Sequence, residues 1–189
     1  MEAFEHIVKL SFEQAGYSVT SNVKFPVRRR TQKAGDKEKQ THGYEIDLVA
    51  ARHNSLLLAS CKSFLGSGGV GRQGFRGIAD RKKRANYNGY KIFNDTRLRT
   101  AIMKLARKRY GYPIRQIQFA LCVGRFRNGE EQIVRDHLSG IRAGAGPVKV
   151  IGLNEVLPQV IHMADSKTYQ NDPVIMTIKC LKAIGLLST

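Results

Sequence analysis

Tyr44-Glu45-Ile46-Asp47-Leu48-Val49-Ala50-Ala51 and Ser55-Leu56-Leu57-Leu58-Ala59-Ser60-Cys61-Lys62 are two β-prone runs separated by Arg52, His53 and Asn54. Two such runs across a short polar break form the pattern of a hairpin. Side chains alternate across a strand, so Glu45 and Asp47 are expected on one face and Ile46 and Leu48 on the other. On the second strand Ser60 and Lys62 share a side opposite Leu57, Ala59 and Cys61. Paired with their polar faces together, the strands crowd Asp47, Glu45, Ser60 and Lys62 beside a sheet, where charges are costly unless paired or used.

Upstream, Phe4, Ile7, Val8 and Ala15 hold a helical face over Glu2 to Ala15, stopped by Gly16. Tyr17 to Phe25 reads as extended and ended by Pro26, and the polar, basic stretch 28–43 reads as an exposed loop. Downstream, the stretch 66–77 contains six glycines and is expected to be a mobile loop. Tyr90 to Asn94 looks strand-like. Asp95 or Thr96 caps a helix carrying Leu98, Ala101, Ile102, Leu105 and Ala106, closed by Gly111 and Pro113. Ile117 to Val123 suits a buried strand, Glu130 to Leu138 a helix and Val148 to Leu153 a further strand. Asn154 then caps a helix over Glu155 to Ala164, and Pro173 opens a last one. The order is helix, three strands, helix, strand, helix, strand, helices. With no internal repeat, residues 1–189 read as one α/β domain.

Charge decides the class of partner. The chain has 32 Lys and Arg against 15 Asp and Glu, a net charge of +17, and such a field draws polyanions, nucleic acid foremost. Arg28, Arg29 and Arg30, then Arg72 and Arg76, then Arg81, Lys82, Lys83 and Arg84 recur where core pattern is lacking, and these are the expected backbone contacts. The N-terminus lacks the apolar run of a signal peptide and no window approaches a membrane span, so no membrane partner is expected. Cys61, Cys122 and Cys180 are odd in number and widely spaced, which reads as reduced thiols in a cytoplasmic protein, nucleoid-associated or nuclear in a eukaryote. The five histidines form no ligand spacing.

The segment Gly69-Val70-Gly71-Arg72-Gln73-Gly74 is a formal G-x-G-x-x-G. It begins well after the strand ending at Lys62 and is followed by residues too basic for an inner helix, which weighs against a dinucleotide site. The preferred reading is a loop that closes over a phosphate backbone with Arg72 and Arg76.

The hairpin carries the chemistry. Hydrolysis of a phosphodiester needs an activated water and neutralisation of charge on the phosphoryl and leaving oxygens, which carboxylate-held Mg²⁺ or Mn²⁺ supplies. A neighbouring lysine positions the water and offsets developing charge.

At these residues the sequence resembles the PD-(D/E)XK, or restriction-endonuclease-like, nuclease superfamily. Asp47 in Glu45-Ile46-Asp47-Leu48-Val49-Ala50 is similar to the metal-binding aspartate, and Ser60-Cys61-Lys62 to the E-x-K element. Phe4-Glu5 followed by Gly16-Tyr17-Ser18-Val19 resembles the Mrr-like and Holliday-junction-resolving members. The resemblance implies a three-layer core in the order αβββαβ, a mixed sheet flanked by helices, with further C-terminal elements. It implies an endonuclease that hydrolyses DNA with Mg²⁺ or Mn²⁺, metal held by Asp47 and Glu5, and Lys62 serving the water. Ser60 stands where the family has Glu or Gln. A hydroxyl is a weaker ligand for hard cations, so Glu45 is expected to compensate. The alternative is a catalytically inactive nucleic-acid-binding module of the same fold. RNA stays open as a substrate, because basic faces do not separate the two backbones. Cutting two strands calls for two sites, which makes a homodimer a candidate assembly, with Val174, Ile178 and Leu181 either facing a partner or joining the core.

Overall fold

Ser55–Lys62 forms a strand whose interior is buried on both faces, as an apolar run of that length requires at the centre of a sheet. In the computed structural model, which describes residues 2–30, 39–168 and 170–187, this strand is the third of a five-stranded sheet. The chain runs α1 (Ala3–Gln14), β1 (Ser18–Arg30), β2 (Lys39–Arg52), β3 (Ser55–Lys62), α2 (Lys91–Asn94), α3 (Thr96–Tyr110), β4 (Ile117–Val123) and α4 (Glu131–Ser139). A small hairpin of β5 (Arg142–Ala143) and β6 (Gly146–Pro147) leads to β7 (Lys149–Gly152), α5 (Leu153–Met163) and α6 (Pro173–Ala183). The sheet order is β1-β2-β3-β4-β7. Its first three strands are antiparallel neighbours, and β4 and β7 are added in parallel. Parallel addition requires a crossover, and α3 lies in the one between β3 and β4. The fold is therefore α/β, with a mixed sheet flanked by helices.

Each face has its own core. Phe4, Val8 and Phe12 of α1 pack with Val156 of α5 over Leu48, Ala50, Leu57, Ala59 and Cys61. On the opposite face Leu98, Ile102 and Ala106 of α3 cover Val23, Phe25, Ile46, Leu56, Leu58 and Phe119. The α3 boundaries follow from its ends: Asp95 accepts from the Leu98 amide at 3.0 Å, and Gly111 closes the helix at φ 79°. Ile175 and Ile178 of α6 are buried against Leu10 and Val160, with Val174 packed beside them. Val174 and Ile178 thus join the chain's own core, whereas Leu181, the third residue of the stripe, is half-buried and lies outside that cluster. No helix among the described residues is long and apolar enough to cross a membrane.

Several expectations are corrected. Pro26 does not end β1; it pairs with Gly43, and the edge position of β1 tolerates its missing N–H. Much of the expected 28–43 loop is ladder, because β1 continues to Arg30 and β2 begins at Lys39; residues 31–38 lie outside the described residues. Tyr90 to Asn94 is 3-10 and α-helical, not extended. Asn154 is not the cap of α5: Gly152 is, and its amide donates to Oε1 of Glu155 at 3.0 Å.

The middle of the glycine-rich stretch is packed, while Gly66, Ser67, Gly68 and Gly77 are exposed. Val70, Gly71, Gln73, Gly74 and Phe75 are buried, and the formal fingerprint ends in a 3-10 turn, Arg72–Gly74, rather than opening an α-helix. The glycines serve close approach. A Cβ on Gly69 would lie 2.5 Å from the Phe126 carbonyl carbon, and one on Gly74 would lie 2.5 Å from the Tyr90 ring.

Candidate functional site

The β1–β2 ladder runs from Ser18↔Ala51 to Ser21↔Leu48 and from Val23↔Ile46 to Arg30↔Lys39, interrupted at Asn22 and Asp47. Asn22 takes φ 55°, a left-handed conformation that Asn tolerates better than most side chains. Both strands change phase here. Val19 and Leu48 belong to the α1 side of the sheet, whereas Val23 and Ile46 belong to the α3 side. The expectation that Ile46 and Leu48 share a face therefore fails, because simple alternation does not survive the kink. At the same level β2 leaves β3: their ladder goes no further than Leu48↔Ala59. β3 continues against β4 alone, to Lys62↔Val123.

Asp47 occupies this fork. Its Oδ2 accepts from the Cys61 backbone amide at 2.6 Å and from Ser60 Oγ at 3.0 Å, so the carboxylate takes over an amide that β2 no longer pairs. Oδ1 accepts none of the hydrogen bonds among the described residues. Leu58 packs on the α3 side, and alternation along β3 carries Ser60 and Lys62 to that side too. Lys62 is half-buried, and its Nζ forms no hydrogen bond or ion pair among the described residues.

Glu5 reaches the fork from the first turn of α1. It is half-buried, and its Oε2 accepts from the Glu2 amide at 3.2 Å. Burial pushes its carboxyl above the ordinary value of 4.5; the Glu2 amide pulls it down, while the charges of Asp47 and Glu2 push it up further. The charge of Asp47 thus reaches Glu5 across the fork. Beneath them the Cys61 thiol is driven well up by its contact with Cys122, by burial and by the charges of Asp47 and Glu5, so it stays neutral.

Glu45 is not gathered into this group. It is exposed and leans to Lys24, whose Nζ lies 3.8 Å from Oε2. The structure adds two groups that the motif reading left out: Glu2, whose Oε2 accepts from Ser63 Oγ at 3.5 Å, and the Cys61 amide. The spacing of Glu2 and Glu5 at the start of α1 carries a capping-box signal; the amide carries no side-chain signal at all. Among the described residues no three His, Cys, Asp or Glu side chains form a ready metal cage. Two non-glycine residues take positive φ among the described residues, and both flank the fork: Asn22 across from Asp47, and Phe64 at 43°, two positions past Lys62.

The basic residues divide. Arg28, Arg76, Arg81, Lys82, Lys83 and Arg84 are exposed, with the Arg76 guanidinium 5.4 Å from the Tyr87 ring centroid. Arg72 is not free to meet a phosphate: its amide donates to Glu130 Oε2 at 2.9 Å, and its Nε lies 3.5 Å from Oε1. The side chains of Arg29 and Arg30 lie outside the described residues, although their backbones pair in β1.

No protein-family model matches the chain, and neither does any curated protein. Among solved structures it is similar to the protein of unknown function AF1548, with TM-score 0.43 and 15% identity over 96% of this chain and 77% of that one. It is also similar to protein VC1899 from Vibrio cholerae, with TM-score 0.38 and 17% identity over 85% of this chain and 31% of that one.

Proposed function

We propose that this chain is a restriction-endonuclease-like, divalent-metal-dependent nuclease that hydrolyses DNA phosphodiester bonds at the fork around Asp47. The observation that carries the reading is the fork itself, where Ser60 Oγ and the Cys61 amide hold Oδ2 of Asp47, the charge of Asp47 reaches Glu5, and Lys62 stands two positions past Ser60 on the adjoining strand. A cation held there would offset both negative charges. Mg²⁺ is commonly held by one or two carboxylates, with waters and substrate phosphate completing its shell, so Asp47 through Oδ1 together with Glu5 fits Mg²⁺ or Mn²⁺ without a third acid. When bound, the metal supplies positive charge beside a phosphoryl oxygen.

The chain's own residues do the rest. Ser60 Oγ and the Cys61 amide hold the Asp47 carboxylate in one orientation, which is the preorganisation that positioning requires. The Lys62 ammonium, with no partner among the described residues, orients the attacking water and offsets charge gathering on the phosphoryl oxygens. The net charge of +17 raises the local concentration of a polyanionic substrate. Positive φ at Asn22 and Phe64 fits a site whose backbone is held away from relaxed geometry.

One observation favours a second reading, a module of the same fold that grips nucleic acid without cutting. Ser60, which stands at the usual acid position, donates its hydroxyl to Asp47 and adds no negative charge to the site. The test is incubation of plasmid, linear and branched DNA with the chain in Mg²⁺ or Mn²⁺, beside Asp47→Ala and Lys62→Ala. Cutting by the wild type and loss in both variants is the expected result. Unchanged cutting in both removes the site, and salt-sensitive binding without cutting by any of the three favours the module.

A further inference from the structure

We infer that the open cleft between the β4–α4 loop and α5 takes an unpaired nucleobase with its phosphate, next to the phosphodiester that the fork would cleave. The inference rests on the nuclease reading for its substrate class and on separate residues for its geometry. The cleft has a volume of about 680 Å³, ample for a nucleotide. Gly124, in its wall, follows the last residue of β4; its amide donates to the Lys62 carbonyl at 2.9 Å, and it abuts the backbone of Ser63 too closely for a side chain. Ser63 in turn donates to Glu2. Cleft and fork are thus separated by little more than one residue of β3.

The wall is rigid. The Val70 amide donates to the Arg125 carbonyl and the Arg127 amide to the Val70 carbonyl, both at 2.8 Å, and Gly69 lies against Phe126. The glycine-rich stretch therefore acts as a buttress that holds Arg125, Phe126 and Arg127 in place. Phe126 lines the cleft, backed by the Arg135 guanidinium 5.4 Å from its centroid. Arg125 and Arg127 are exposed at the same wall and suit a phosphate.

The α5 side supplies the complement. Leu157 and Pro158 give an apolar surface, and Asn154 and Asn128 bring amides able to donate and accept. Pro158 lies inside α5 and has no N–H, so the Asn154 carbonyl lacks its i+4 donor. Two side-chain amides around an apolar, aromatic-walled cleft match the flat faces and hydrogen-bonding edge of a base. A base in a duplex shows a groove only its edge, so one that fills this cleft must leave the stack, which is easiest where it is already unpaired. The chain should then prefer single-stranded, frayed or branched DNA.

The test uses the full chain in EDTA, where no metal-dependent cutting occurs. Titration with dAMP, followed by amide NMR, is expected to shift Asn128, Asn154 and Leu157. By fluorescence anisotropy a short single strand should bind more tightly than its duplex. Leu157→Trp, which fills the cleft, should weaken the single strand about tenfold and leave the duplex unchanged. Asn128→Ala, on an exposed turn, should act in the same direction without loading the core. Shifts that are absent or lie elsewhere, or equal loss for both DNAs, overturn the inference. If these results hold and metal-dependent cutting is absent, the nuclease reading fails and the pocket stands.

Discussion

The Cys61 backbone amide donates to Oδ2 of Asp47 at 2.6 Å, across the point where β2 stops pairing with β3. A carboxylate stands here where a β2 carbonyl would continue the ladder, so one residue both terminates the pairing and faces the opening it creates. The arrangement gives Asp47 a structural role beside the chemical one proposed for it, and the two roles separate by substitution.

Asp47→Asn keeps an amide oxygen for Cys61 and should hold stability within about 1 kcal/mol, whereas Asp47→Ala leaves two donors without an acceptor and should cost about 1–3 kcal/mol. On the nuclease reading both lose metal-dependent cutting. Urea melts beside a plasmid assay separate the effects. An Asn variant that cuts like the wild type would take Asp47 out of the chemistry.

Period and caps made most elements legible. Ser55 to Lys62 and Ile117 to Val123 are mostly apolar, and Asp95 and Gly111 bracket α3, so those bounds match the structure. What stayed hidden depends on partners distant in sequence. The phase change at Asn22 and Asp47 couples two strands, which no single-strand alternation reveals, and it sent Glu45 to Lys24 instead of to the site. The glycines between Gly66 and Gly77 looked like freedom because their neighbours, Phe126 and Tyr90, lie far along the chain. The meeting of Asp47 and Ser60 was legible because both sit on adjoining strands of one hairpin, whereas Glu5 was expected only from the family resemblance.

Gly69 tests the buttress. At φ 82°, and with Phe126 backbone 2.5 Å from any Cβ, Gly69→Ala must strain or displace the loop, costing about 1–3 kcal/mol. Gly66→Ala, with nothing within 4 Å, serves as the neutral control. Hydrogen exchange at Val70 and Arg127, whose amides tie the two loops, should accelerate only in the Gly69 variant. Equal behaviour of the two variants would mean that the loop is loosely held.

Asp172 links α6 to α1 and makes the linkage pH-dependent. Oδ1 accepts from the Val174 and Ile175 amides at 2.9 and 3.2 Å, and Oδ2 lies 2.6 Å from His6 Nε2. Burial raises its carboxyl pKa, but the Ile175 amide, His6 and the Val174 amide outweigh this and leave it below the ordinary 3.8. A depressed acid contributes stability above its unfolded value and loses it as pH falls through the folded one. Asp172→Ala should therefore cost about 1 kcal/mol near neutrality, with the gap to wild type narrowing below pH 3.8. Urea midpoints against pH read this directly, and a gap that stays constant into acid would refute it.

Exposed and tied arginines should differ in salt response. Replacing Arg81, Lys82, Lys83 and Arg84 with Gln should flatten the plot of log affinity against log salt by about 0.9 for each side chain that touched a phosphate. Arg72→Gln should leave the slope alone, because Glu130 already holds that guanidinium. Anisotropy at several salt concentrations distinguishes them. A slope change in Arg72→Gln matching that of the quadruple variant would contradict the division.

Lys62 gives the sharpest separation of chemistry from structure. Its Nζ forms no hydrogen bond or ion pair among the described residues, so Lys62→Ala should melt close to the wild type. On the nuclease reading its turnover should fall about 10²–10⁴-fold, the range for loss of a positioned proton-handling group, while metal-free DNA affinity stays nearly level. Lys62→Arg preserves charge but replaces a compact ammonium with a planar guanidinium that does not give up its proton. Rescue by arginine would therefore assign Lys62 to charge stabilisation alone, and failure of rescue would assign it to the water. Full cutting by Lys62→Ala would leave the fork without its amine and the proposed chemistry without support.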